Sequence, residues 1–157
     1  MSNVHYTPGQ LRDTVGLSKE AFRHWKRIVP AFANGRGHAP SFSSGDVLAS
    51  VVLRRLTDTI GVRIGHLADV APQIFQLCNS SSWETLRTKS LIIDLPKRSC
   101  LAVNDPELPV GELVVVCVLA PLIEALQLEL LNSNSPDLAE IETEDSSDKN
   151  SAQRGER

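Results

Sequence analysis

Cysteines, aromatics and long apolar runs are all scarce in this chain. Its 157 residues hold three cysteines, one tyrosine and one methionine, and aromatics make up 4%. Cys78, Cys100 and Cys117 are odd in number, widely spaced and without a CxxC pair, so the sequence suggests neither a disulfide framework nor a zinc site. No second Cys or His stands close to Cys78, so no metal ligand set forms around it. A reducing, cytoplasmic setting is the expectation. The longest apolar run, residues 113–123, is broken by Pro121 and falls short of the about 20 residues that span a bilayer. No basic-then-apolar leader opens the sequence, so no membrane partner is expected. His5, His24, His38 and His66 form no HExxH spacing, and there is no nucleophile elbow, P-loop or dinucleotide fingerprint. The reading is a non-enzyme with no catalytic residue, cofactor or metal.

Hydrophobic residues make up 41% of the chain, enough for a real core. The net charge of −3 conceals a split. Residues 1–70 carry nine Lys/Arg against five acids, and the remainder is strongly acidic.

Around Tyr6-Thr7-Pro8-Gly9-Gln10, Thr7 fits a helix N-cap, Pro8 the first helical position and Gln10 the capping-box position. The helix is expected to run to about Thr14. Gly16 then allows a positive-φ turn, and Ser18 caps a second helix with Glu20 in its first turn. In that helix Leu17, Ala21, Phe22 and Trp25 make the inward stripe, which sends Lys19, Arg23, Lys26 and Arg27 outward, with His24 beside them. Such a basic face is either plain solvated surface or a groove reader, since Arg and Lys reach phosphates and the guanine edge. Residues 33–42 are glycine-rich, with Arg36 and His38 at an expected hairpin tip. A third helix is expected from Ser43 or Ser44 to Gly61, and a short fourth from Ile64 to about Ala71, stopping before Pro72.

The stretch YTPGQLRDTVGLSKEAFRHWKR and the later FSSGDVLASVVLRRLTDTIGVRIGHL resemble the N-terminal DNA-binding domain of the MerR family of transcription regulators, over residues 6–75. The resemblance implies a winged helix-turn-helix in residues 1–75. Arg23 would be the recognition-helix arginine, Lys19 a groove-facing side chain near the helix start, and residues 34–41 the wing. Thr7, Ser18, Lys19, Arg23, His24, Lys26, Arg27, Arg36 and His38 form the expected DNA-binding set. Two departures stand out: Lys26 where the family commonly has an acid, and Ala39-Pro40 where it has Tyr-Arg.

The family's long dimerising helix is missing after residue 75. Residues 76–82 read as a polar linker, followed by a small α+β module at 83–133. LIIDL (residues 91–95) and CLAV (100–103) read as a hairpin around Pro96-Lys97-Arg98-Ser99. Residues 113–118 read as a third strand, apolar on both faces, and a helix opens at Ala120 or Pro121 with an apolar stripe of Leu122, Ile123, Leu126, Leu130 and Leu131. Residues 134–157 are acid-rich and poor in bulky apolar groups, which leads to an expectation of disorder and makes the tail a candidate RNA polymerase contact. The whole is expected to be α+β. Its expected function is that of a sequence-specific transcriptional regulator, a homodimer on palindromic double-stranded DNA, held together by the 83–133 module. Alternatives are an excisionase-like or architectural DNA-binding accessory protein, and a regulator that senses a ligand through its C-terminal module.

Overall fold

The computed structural model describes residues 4–34, 39–104 and 113–133. Within them the chain mixes helices with two small antiparallel sheets. A two-residue strand β1 (His5–Tyr6) pairs with β2 (Phe42–Ser43) and brackets the helices α1 (Pro8–Val15) and α2 (Lys19–Ile28). Thr7 Oγ1 accepts from Gln10 N at 3.1 Å while Gln10 Oε1 accepts from Thr7 N at 2.9 Å, a reciprocal cap with Pro8 where no N–H is needed. Gly16 ends α1 at φ 75°, a conformation easy for glycine and strained for a residue with a β-carbon. Ser18 caps α2 by accepting from Ala21 N at 3.1 Å.

A 3-10 turn, Pro30–Asn34, follows α2 and takes in the first residues of the expected 33–42 hairpin segment. Pro30 has no N–H to give a ladder, and Phe32 is drawn fully into the core. Phe32 is the hub of a cluster of all four phenylalanines and Trp25, with its ring centroid 5.7 Å from those of Phe22 and Trp25, 6.4 Å from Phe42 and 5.3 Å from Phe75. Edge-on contacts of this kind add to the burial of each ring. The proposed wing tip, with Arg36 and His38, lies outside the described residues.

α3 (Ser44–Thr59) opens with a second reciprocal cap, Ser43 with Asp46, and is buried on most sides through Val47, Leu48, Ala49, Val52, Leu53 and Leu56. It is the central helix, packed against α1, α4 (Ala71–Asn79) and α6 (Leu119–Ser133). The expected helix at 64–71 is corrected. Ile64–Leu67 is a 3-10 turn, and Pro72 starts α4 rather than stopping a helix, because a proline in the first turn forfeits no hydrogen bond. The polar stretch at 76–82 is structured as well. Its first residues complete α4, and Ser82 caps the short α5 (Trp83–Leu86) by accepting from Thr85 N.

β3 (Ser90–Asp94) and β4 (Ser99–Val103) form the expected hairpin, and β5 (Val115–Val118) pairs on the other edge of β3, giving the order β4-β3-β5. Register puts Leu91, Ile93, Cys100, Ala102, Val115 and Cys117 on one face. That face packs on α4 and joins the same core as the N-terminal helices. Two side chains of the α4 region secure the contact. Gln73 accepts from Cys100 N at 2.9 Å and donates to Arg98 O at 2.8 Å, and Asp69 pairs with Arg98 at 2.9 Å. The opposite face carries Ile92, Leu101, Val103, Val116 and Val118, of which Leu101 is 61% and Val118 52% exposed. α6 begins at Leu119, directly after β5. Leu119, Ile123 and Leu126 are its buried stripe, while Leu131, expected in that stripe, is exposed. Among the described residues no helix is long and apolar enough to cross a membrane. The acid-rich tail lies outside the described residues.

Candidate nucleic-acid interface

Burial of Leu17, Phe22 and Trp25 fixes how α2 is rotated. At about 100° per residue the ridge opposite that stripe is Arg23 and Arg27, one turn apart, with Lys19 a turn earlier. Lys19, Arg23, His24 and Arg27 are all exposed. Lys26 departs from the expected outward projection: it is half-buried, with its Nζ 5.6 Å from the centre of the Phe22 ring. Its position beside the aromatic stripe explains this, since a long stem can lie along apolar surface while its ammonium meets a ring face.

Four of the other basic side chains are ion-paired, whereas Arg55, Arg63, Arg87 and Lys89, like the ridge, have no ion pair among the described residues. Arg54 is paired with Asp58 at 2.7 Å, Arg98 with Asp69 at 2.9 Å, Lys97 with Asp94 at 3.6 Å and Arg12 with Asp13 at 3.7 Å. Among the described residues no carboxylate forms an ion pair with Lys19, Arg23 or Arg27. Three cations on one helical face are therefore left to the solvent or to an outside anion. Glu20 is the one acid on this helix, placed in the first turn where it complements the helix dipole.

Thr7 and Ser18 both spend a side-chain oxygen on capping. Thr7 is half-buried and Ser18 exposed, so Ser18 keeps a hydroxyl proton facing outward at the start of α2. Arg36 and His38 lie outside the described residues. The structure brings up a segment the sequence reading had left aside. The 3-10 turn Ile64–Leu67 packs against α2, with Arg63 and His66 exposed at its start and within it. The only sequence signal was their place in the glycine-flanked link after the third helix, where His66 reads as a plain surface residue.

Cys78 and Cys100 are buried and Cys117 is half-buried between α4 and the sheet; burial pushes all three thiols upward, Cys100 to about 12. Among the described residues no cluster of His, Cys, Asp and Glu could hold a metal ion. Trp83 donates its Nε1–H to Ser44 O at 3.2 Å and fixes α5 on α3. No family model matches the chain, and neither a curated protein nor a solved structure matches it.

Proposed function

We propose that the chain is a sequence-specific DNA-binding transcriptional regulator, that α1, the Gly16 turn and α2 serve as a MerR-like winged helix-turn-helix, and that α2 is the element entering the major groove. One observation carries the reading. Lys19, Arg23 and Arg27 stand exposed on one ridge of α2, with no ion pair among the described residues. An unneutralised row of cations on the second of two helices joined by a tight turn suits phosphates and base edges. Ser18 and the flanking Arg63 and His66 would extend the contact along the backbone.

The regulator would act as a homodimer on a palindromic site, because one α2 reads only a half-site. The outer face of the β4-β3-β5 sheet supplies a surface for that pairing: on the described strands it carries five apolar side chains together with Ser90, Ser99 and the mostly buried Asp94. Selection from a random duplex pool, followed by fluorescence anisotropy over a range of salt concentrations, tests the proposal. Enrichment of a two-fold symmetric sequence and a steep fall of affinity with salt are expected. Absence of duplex binding at low salt overturns it.

A further inference from the structure

α6 lies across α1 and α3 and leaves a cleft of 320 Å³ between the three helices. Val15, Val51, Leu122 and Leu126 give it apolar walls, and α3 places two arginines in it. They are not equivalent. Arg54 is held by Asp58 at 2.7 Å, whereas Arg55 has no ion-pair partner among the described residues. The remaining charge in the cleft is Glu129 of α6.

We propose that this cleft binds a small organic monoanion, with its carboxylate on Arg55 and its apolar body between α1, α3 and α6. The volume falls at the lower end of the roughly 300–1,000 Å³ of small-molecule sites, and the lining sets Val15, Val51, Leu122 and Leu126 beside the charged Arg54, Arg55, Asp58 and Glu129, of which Arg55 is the cation without an ion pair among the described residues. A guanidinium takes a carboxylate through two parallel hydrogen bonds. Glu129 and Asp58 set the charge limit. A second negative group on the ligand would meet one of these carboxylates, so dianions such as succinate or phosphate are rejected. The wall formed by Val15 and Gly16 is the end of α1, so the occupant touches the turn that leads into α2.

Isothermal titration of the full-length chain with octanoate tests this, with octan-1-ol and succinate as matched probes for the charge and for the apolar body. The free protein is used, so the result stands whether or not α2 binds DNA. Octanoate is expected to bind, and both other probes to bind at least about tenfold more weakly. Arg55→Gln should weaken octanoate by about tenfold or more. Ala125→Phe, at an exposed position that lines the cleft, should abolish binding without lowering the unfolding temperature. Octanoate binding that equals octan-1-ol binding, that survives either substitution, or that is not detected overturns the proposal.

Discussion

Arg23 and Lys26 lie three residues apart on α2 in different surroundings, and that difference separates their expected effects. Arg23 stands clear of the core, whereas Lys26 rests beside Phe22. If α2 reads the groove, Arg23→Ala should cost about 1–3 kcal/mol on the preferred duplex and little on unrelated ones. Lys26→Ala should weaken all duplexes alike and lower stability by about 0.5–1 kcal/mol through the lost ring contact. Anisotropy on matched and scrambled duplexes, with urea unfolding of both variants, separates the two. A pH effect belongs to the thiols. Their folded-state values lie above the ordinary thiol value of 9.0, so the folded state holds its protons where the unfolded chain begins to lose them. Their contribution is complete below that value and is lost as pH rises above it. The urea midpoint should therefore fall between about pH 8.5 and pH 11, and the fall should be shallower in Cys100→Ala. An unchanged slope in that variant would refute the assignment to Cys100.

Among the elements, the junction of α3 with α4 allows the least change. Gly45 is buried in the first turn of α3, and a β-carbon there would collide with the Asn79 side chain and lie 2.7 Å from Cys78 O. Asn79 cannot step aside without loss. It accepts from Ser43 Oγ at 2.6 Å and donates to Asp46 Oδ1 and Phe75 O, both at 2.9 Å, so it links the α3 cap to the last turn of α4. Gly45→Ala should destabilise by about 1–3 kcal/mol, the usual cost of forcing volume into a packed site. Gly65, with nothing within 4 Å of its added carbon, is the control, expected within about 0.5 kcal/mol of the parent. Equal unfolding free energies for the two variants would show that the junction yields.

For the whole molecule, the question is what covers the outer sheet face. Three strands about 4.8 Å apart and four to five residues long present a patch roughly 15 Å on a side. That is well below the about 800 Å² per partner of a standard interface, so a dimer formed here draws on the open edges of β4 and β5 and stays weak away from DNA. Sedimentation equilibrium should show a monomer–dimer balance in the micromolar range, shifted to monomer by Leu101→Lys with Val118→Lys. Both side chains are more than half exposed, so the monomer's own fold should survive the double change. A parent chain that stays monomeric at all concentrations, free and on DNA, would refute the dimer. Truncation is a poor substitute for these point changes, because the buried core runs without a break from Leu11 to Leu126.

The sequence by itself determined the features that rest on a few adjacent residues. These are the Thr7–Gln10 cap, the Gly16 turn, the Ser18 cap, the start of α3, the inward stripe of α2 and the β3–β4 hairpin. Each depends on a hydrogen bond or a φ value set within about four positions, which a linear pattern records. Tertiary structure decided the rest. Phe32 drew residues 30–34 into a 3-10 turn because a distant ring cluster needed its centre, and Pro72 began α4 because the chain had already turned at Ile64–Leu67. The candidate site divides the same way. The basic face of α2 was legible as periodicity, but which cations are paired depends on carboxylates brought in by folding: Asp69 reaches Arg98 from far along the chain, while no carboxylate among the described residues pairs with Arg23. The cleft under α6 and the bare outer face of the sheet depend on strand order and on which face the helices cover. Those are long-range packing outcomes, and no local window of sequence contains both partners.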